Sequence, residues 1–365
     1  MKKTRQLVTI GLLATGLVAL YGCSSDAMQE EDGGNNNGNI QPVELKIQTS
    51  VEMARAATEG VVKGDAFADG DKIAVYANND HYNNTSNNYA VYVAGSSGSS
   101  WTVDGSNHIY LSTEDASIYG VYPHDLEVTY ASTAITTSAT AAITGLFAGA
   151  TTAQTDNSNK ITLSSSNSTD AINAAPGEKD CMWATASSVS ATSPTATLTM
   201  AHALALVSFK FYKDASFAGT GKLEKIELKA AESSGEFKTG AATMKLNDGT
   251  IDITADTQGT LTRFPYADTS TPGYTLTNSN SSLPGFSFMV YPNTSLAADK
   301  VKAVFTIDGV AYPINIPAAS GTSNAWAAGY NTAYTVKMSG KEPTLSVSVT
   351  KWQDATVGTD LTPIN

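Results

Sequence analysis

The stretch Val43-Glu44-Leu45-Lys46-Ile47-Gln48-Thr49-Ser50-Val51-Glu52-Met53 alternates between two kinds of side chain. The odd positions are apolar apart from Thr49, and the even positions are polar or charged. A period of two residues indicates a β-strand with one buried face. We therefore expect residues 42–55 to form an N-terminal strand that ends at the isolated Arg55. Its buried face is predicted to comprise Val43, Leu45, Ile47, Val51 and Met53.

Short patterns of the same kind recur along the chain, with turn residues between them. Examples are 73–76, 205–211 and 345–352, and residues 243–253 read as a hairpin around Asn247-Asp248-Gly249. No helical periodicity of useful length follows the first 22 residues. Many short strands joined by polar turns predict an all-β chain built from β-sandwiches.

The first 23 residues have the layout of a bacterial lipoprotein signal peptide. A basic start, with Lys2 and Arg5, precedes a run of 14 mainly apolar residues at 7–20, and Cys23 follows. We expect residues 1–22 to be removed and Cys23 to carry the lipid. The pattern also fits an ordinary signal peptide or a membrane helix, although a spanning helix needs about 20 apolar residues. The polar, glycine-rich segment 23–41 is typical of a flexible tether.

Length and composition limit the fold and the partners. The chain has 365 residues, 41% of them hydrophobic, which is enough for two packed domains. The small polar residues near 187–194 predict a boundary between an N-terminal sandwich at 56–192 and a C-terminal sandwich at 193–365. The net charge of −12 opposes binding to nucleic acid. With Cys23 taken by lipid, Cys181 is interpreted as a buried apolar residue.

The sequence contains no recognisable catalytic or metal-binding motif. Its four histidines are dispersed, so we expect no metal, no cofactor and no enzymatic activity. Asp65, Asp69 and Asp71 suggest a calcium loop, but their spacing fits an Asx turn better. Trp101 and Tyr89, with Tyr82 nearby, are aromatic residues that either stack on sugars or pack in the core.

Several motifs, in their order along the chain, resemble the fimbrillin family of Bacteroidetes pilus subunits. They are the Cys23 lipobox, the strand that ends at Arg55, and the segments 67–76, 200–209, 328–334 and 345–352. The resemblance implies two transthyretin-like Greek-key β-sandwich domains in tandem. It also implies an outer-membrane lipoprotein precursor on the cell surface, trimmed between Arg55 and Ala56 by a trypsin-like protease. The trimmed subunits would join a fimbrium with other pilin subunits and contact a host protein or glycan.

These features together suggest a strand-exchange hypothesis. Residues 42–55 would plug a groove until proteolysis removes them with the lipid, and a C-terminal donor strand of another copy would then replace them. The predicted donor residues are Leu345, Val347, Val349, Trp352, Val357 and Leu361. Three alternatives stay open: a permanent first strand with Arg55 in a loop, a pilus-anchor lipoprotein that is never trimmed, and a surface-anchored glycan-binding lipoprotein.

Overall fold

All regular secondary structure that can be described in this chain is β-strand. The computed structural model describes residues 42–51, 67–78, 88–96, 100–129, 135–144, 160–162, 180–231, 236–267, 271–278, 285–320, 325–340 and 342–351. The all-β prediction is confirmed. The strands are β1 (Val43–Glu44), β2 (Lys46–Val51), β3 (Lys72–Ala77), β4 (Tyr89–Ala94), β5 (Trp101–Val103), β6 (Tyr110–Leu111), β7 (Ala116–Tyr122), β8 (Val128–Thr129), β9 (Thr140–Ile143), β10 (Lys160–Thr162), β11 (Met182–Val189), β12 (Thr195–His202), β13 (Ala205–Lys213), β14 (Lys222–Ala230), β15 (Ala242–Lys245), β16 (Ile251–Ile253), β17 (Thr260–Tyr266), β18 (Tyr274–Thr275), β19 (Gly285–Val290), β20 (Val301–Ile307), β21 (Val310–Asn315), β22 (Tyr330–Ser339) and β23 (Glu342–Lys351).

A seven-stranded sheet organises the N-terminal half of the protein. Its strand order is β2-β12-β11-β7-β3-β4-β5. All neighbours are antiparallel except β2 and β12, which run parallel. Successive side chains of a strand point to opposite faces. Accordingly, Ile73 and Val75 of β3 join one hydrophobic cluster, and Ala74 and Tyr76 join the other.

The strands after residue 204 lie in two larger sheets and one small sheet, which β8, β9 and β10 from earlier in the chain also join. Strands β19-β13-β22-β23 form one sheet, and β10-β17-β14-β20-β21 form another, with β18 paired to β14. Their shared core contains Phe209, which stacks on Tyr334 with ring centroids 5.4 Å apart, and Phe211, which meets Phe305 edge-on at 5.0 Å. Strands β16-β15-β9-β8 form the small sheet, and its β15–β16 pair is the predicted hairpin.

Strands from both sides of the predicted domain boundary share sheets, and the boundary itself stays a prediction. Strand β12 follows the predicted boundary at 192/193 but pairs with β11 and β2 in the seven-stranded sheet. Strands β9 and β10 precede the predicted boundary, yet β9 pairs with β15 and β10 pairs with β17, so the sheets do not divide at one point of the sequence. Residues 40–365 group as one unit with two hydrophobic clusters. The tandem transthyretin-like arrangement stays a prediction.

The turn of the β15–β16 hairpin depends on Gly249. Its φ is +69°, and an added Cβ would lie 1.9 Å from the indole nitrogen of Trp183. We expect Gly249→Ala to lower the free energy of unfolding by about 2–3 kcal/mol, through backbone strain and overpacking. Urea unfolding measures the change. Gly309→Ala is the matched control, because Gly309 has a φ of +75° with nothing within 4 Å, and it should lose only about 1 kcal/mol.

Candidate functional site

Strand β2 is an edge strand whose apolar face is buried. It pairs parallel with β12, from Lys46 opposite Thr195 to Val51 opposite Met200. Leu45, Ile47 and Val51 are 1%, 7% and 6% exposed, as the alternation indicated. Burial of three such side chains contributes roughly 5–9 kcal/mol of gross stabilisation, part of which is offset by the entropy of ordering the strand. Strand β2 is therefore held firmly, and its strand pairing in the described structure is with β12 along one edge.

The predicted single strand is interrupted at Leu45, where the chain changes partners. Before this residue, β1 pairs with β6, and the Leu45 amide donates to the Ile109 carbonyl oxygen at 2.8 Å. After it, the Lys46 amide donates to the Pro194 carbonyl oxygen, also at 2.8 Å. The segment thus bridges two parts of the fold that are distant in sequence, and it forms two strands in place of one.

The two edges of the seven-stranded sheet approach each other at β2 and β5. The indole N–H of Trp101 in β5 donates to the Thr49 hydroxyl at 3.0 Å, and its ring meets Phe67 edge-on at 5.3 Å. A cavity of about 510 Å³ lies between the two edges, lined by residues that include Ile47, Trp101 and Val103. Strand β2 therefore lies between a paired neighbour and an aromatic neighbour.

Two more side chains fix the start of this segment. The Tyr92 hydroxyl donates to the Leu45 carbonyl oxygen at 2.9 Å. Burial, together with the charge of Glu44, raises the pKa of Tyr92, so the phenol stays a donor. His108 Nδ1 lies 2.6 Å from Glu44 Oε1. We call the surface that receives β1 and β2, with the edges of β6 and β12 and the side chains of Tyr92, Trp101 and His108, the strand slot.

Substitution of Thr49 measures how much its hydrogen bond with Trp101 contributes to the stability of the uncut protein. We expect Thr49→Val to lower the free energy of unfolding of the uncut protein by about 1 kcal/mol, because the partly buried indole N–H of Trp101 loses its acceptor. Urea unfolding followed by tryptophan fluorescence measures the loss. In a Trp101→Phe background the same change should cost little. An equal loss in both backgrounds would contradict a role for this hydrogen bond.

The predicted donor segment is divided between a paired strand and the chain beyond it. Strand β23 pairs antiparallel with β22 along ten residues, so Val347 lies opposite Tyr334 and Val349 opposite Thr332. Leu345 is half-buried against the larger hydrophobic cluster. Trp352, Val357 and Leu361 lie outside the described residues. Residues 345–351 thus already cover an edge of their own sheet.

Other predicted site residues fall outside the described part of the chain. They are Cys23, Met53, Arg55 and Ala56. Lipidation and trimming at these positions stay predictions.

The remaining candidates for chemistry are explained by packing. Cys181 is 1% exposed, which confirms the interpretation of a buried residue. Tyr89 packs on Tyr76 with centroids 4.8 Å apart, and Tyr82 lies outside the described residues. Asp71 Oδ2 accepts the Ala68 amide at 2.7 Å, as in a turn, and burial raises the pKa of Asp71. Across the described ranges we find no cluster of His, Cys, Asp or Glu that could hold a metal.

Among the described residues, no helix has the length and hydropathy needed to cross a membrane.

A buried polar pair escaped the sequence reasoning. Asp180 Oδ2 lies 2.7 Å from His202 Nδ1, and both side chains are fully buried. The two residues are 22 positions apart in sequence and belong to no motif. Trp101, Tyr92 and His108 were missed as contacts of the N-terminal segment for the same reason, because spacing carries no signal of contacts made across a sheet.

Comparison with known proteins places the chain in a family. The model of the fimbrillin-like family matches residues 54–352, which is most of the sequence. The chain belongs to the fimbrillin-like family. The match leaves out residues 1–53, which include β1 and β2, and residues 353–365 at the other end. No curated protein matches the chain.

Solved structures that are similar to this chain include proteins from Bacteroides. A candidate cell adhesion protein from Bacteroides uniformis has a TM-score of 0.54 at 15% identity, covering 85% of this chain and 99% of that one. One from Bacteroides ovatus has a TM-score of 0.54 at 16% identity, covering 87% and 100%. A fimbrial protein from Bacteroides vulgatus has a TM-score of 0.49 at 12% identity, covering 86% and 100%. At such identities the first two show that the fold is shared.

Proposed function

We propose that this fimbrillin-like chain is a structural subunit of a fimbrium, that it polymerises by protease-triggered strand exchange, and that it mediates adhesion at the cell surface. One observation carries the proposal. Strand β2 closes the edge of a sheet with a buried apolar face, yet within the described ranges it pairs with β12 alone, and it ends four residues before Arg55. An edge strand so placed can be removed by a single cut between it and the body.

Removal of β1 and β2 would leave a surface that another strand completes. The cut after Arg55 would separate the segment and the lipid on Cys23 from the body together. The β12 edge would then present unpaired backbone groups beside the apolar floor that Leu45, Ile47 and Val51 covered. A strand from a second copy supplies main-chain hydrogen bonds and apolar side chains to this surface. Head-to-tail donation does not close on itself, so a filament results.

The uncut protein would be protected against premature assembly. Its own segment is tethered to the slot and occupies it at high effective concentration, so a donor from another copy competes poorly. The lipid on Cys23 would anchor this precursor in the outer membrane, at the cell surface, until trimming. Mass spectrometry of surface material distinguishes the states, because a lipid-blocked Cys23 marks the precursor and a free Ala56 marks the trimmed subunit.

Limited proteolysis is the direct test. Low-dose trypsin on the folded precursor should produce one early cut after Arg55, followed by a ladder of oligomers on native gels. An undigested sample is the control. Scattered early cuts, or a monomer that remains stable after the cut, would contradict strand exchange and favour a permanent first strand.

The donor strand can be tested at Val349 in the same assay. If the exchanged strand includes β23, Val349→Asp should leave the monomer folded and abolish the oligomer ladder. Circular dichroism checks folding, and sedimentation of the trimmed protein measures assembly. Donation of β23 also requires its ten-residue pairing with β22 to break. Normal assembly of this variant would therefore restrict the donor to the residues after β23, which include Trp352, Val357 and Leu361.

The glycan-binding alternative has less support than assembly. The Trp101 ring packs against Phe67 and its indole N–H is engaged by Thr49, so little of this side chain is available to stack on a sugar. An untrimmed Arg55 in mature surface protein would support the anchor alternative. Neither the subunit role nor the anchor role requires enzyme chemistry or a cofactor.

A further inference from the structure

We infer that residues 354–361 of one subunit replace residues 44–51 of the next, in the same direction, with Thr359 at the position of Thr49. The inference rests on the proposed strand exchange and specifies its register. It names Trp101 and His108 as the side chains that set this register. The incoming strand must satisfy the contacts that β1 and β2 make with the strand slot in the uncut protein.

The strand slot imposes a specific side-chain pattern on its occupant. Ile47 and Val51 fill apolar positions, and Thr49 between them accepts the Trp101 indole N–H at 3.0 Å. An occupant with an apolar residue at the Thr49 position would leave this partly buried donor without its acceptor, which is costly. The slot therefore selects an apolar residue, a hydroxyl and an apolar residue at alternate positions.

The C-terminal part of the chain offers this pattern at one position. Seven hydroxyl residues lie between 342 and 365: Thr344, Ser346, Ser348, Thr350, Thr356, Thr359 and Thr362. Of these, Thr359 alone has apolar residues two positions away on both sides, namely Val357 and Leu361. Ile47-Gln48-Thr49-Ser50-Val51 is thereby matched by Val357-Gly358-Thr359-Asp360-Leu361. No residue of β23 provides an equivalent match.

The flanking residues decide the direction of the incoming strand. In the parallel register Asp354 takes the position of Glu44, which is 2.6 Å from His108, so an acidic partner is retained. Ala355 takes the position of Leu45 and keeps an amide for the Ile109 carbonyl oxygen. In the opposite direction Pro363 would take the position of Leu45, and proline has no N–H to donate. The parallel register also keeps the pairing direction that β12 already uses.

The register constrains how two subunits meet. Strand β23 ends at Lys351, three residues before Asp354. An extended chain spans about 3.3–3.6 Å per residue, so the end of β23 in the donor lies within about 11 Å of the Glu44 position in the acceptor. This arrangement leaves the pairing of β22 with β23 intact, which removes the cost of breaking it.

Disulfide trapping in the full chain tests the register. Ser50 and Thr199 face each other across β2 and β12, with hydroxyl oxygens 3.3 Å apart, so cysteines at these positions can join. Position 360 is predicted to replace Ser50. Trypsin-trimmed Thr199→Cys and Asp360→Cys proteins, mixed and oxidised, should form covalent dimers that dithiothreitol dissociates. Precursor with Ser50→Cys and Thr199→Cys is the positive control, and it should cross-link within one chain.

Two matched variants distinguish the predicted register from a shifted register and from the opposite strand direction. Gly358→Cys and Thr362→Cys lie two residues to either side of Asp360, on the same face, and should cross-link to Thr199→Cys at least tenfold less. Preferential cross-linking of Gly358→Cys would show the opposite direction, and preferential cross-linking of Thr362→Cys would show a shifted register. Either result, or assembly without any of these cross-links, overturns this inference and leaves strand exchange standing. A trimmed protein with its natural tail that fails to assemble overturns the proposed function itself.

The role of Trp101 is tested by a second measurement. Thr359→Val keeps the size of the side chain and removes the acceptor, so trimmed protein should need about five- to tenfold more subunit to assemble. In a Trp101→Phe background the same change should alter assembly less than twofold. An equal effect in both backgrounds would refute the assignment of Trp101 as the hydrogen-bond donor to Thr359.

Discussion

A precursor that carries Ser50→Cys and Thr199→Cys should remain monomeric after trimming when it is oxidised, and should assemble once it is reduced. The two hydroxyl oxygens lie 3.3 Å apart between β2 and β12, so the disulfide would hold the segment in the strand slot after the peptide bond beyond Arg55 is cut. Because the slot stays filled, a donor strand from another copy has no edge to complete. Reduction frees the segment, which is then lost by dilution.

This result separates cutting from release. Sedimentation of the trimmed protein, with and without dithiothreitol, measures assembly, and non-reducing gels confirm the cut. A Cys23→Ala background leaves buried Cys181 as the one natural thiol. The single Ser50→Cys variant is the control and should assemble under both conditions. If the oxidised double variant assembles as readily as the control, removal of β2 is not what permits assembly.

The sequence predicted the local structure of the N-terminal segment but not its partners. The alternation at Leu45, Ile47 and Val51 placed these side chains on a buried face, and the structure agrees. The break at Leu45 could not be predicted, because it arises from hydrogen bonds to Ile109 and Pro194, far away in sequence. The contact of Trp101 with Thr49 could not be predicted either, because it depends on the approach of the two edge strands β2 and β5.

The C-terminal segment shows a second limit of pattern reading. A period of two residues at 345–349 indicates a strand with one buried face, and β23 is a strand. The pattern does not say whether the buried face belongs to the same copy or to another. Its pairing with β22 favours the same copy and leaves the residues after Lys351 as the candidates for exchange. The sequence thus predicted which segments form the site. The fold was needed to show that β23 pairs within its own copy and that the residues after Lys351 are the candidates for exchange.

His202→Ala should lower the free energy of unfolding by about 3–5 kcal/mol, the largest loss we expect from one substitution. His202 Nδ1 lies 2.7 Å from Asp180 Oδ2, and both side chains are fully buried. Asp180 Oδ1 has no hydrogen-bond partner among the described residues, so the substitution would leave the whole carboxylate buried without one. An unpaired buried charge is far costlier than an unpaired charge at the surface.

The exposed pair of Lys72 and Asp104 is the matched control. Its atoms are as close, at 2.6 Å, but the side chains are 38% and 44% exposed, so Lys72→Ala should cost at most about 1 kcal/mol. Urea unfolding at neutral pH compares the two variants, and a His202→Ala loss no larger than that of Lys72→Ala would contradict the expectation. His202 ends β12, the strand that borders the slot, and pairs with Met182 of β11. The loss should therefore be as large in trimmed protein as in the precursor, whereas Thr49→Val should affect the precursor alone.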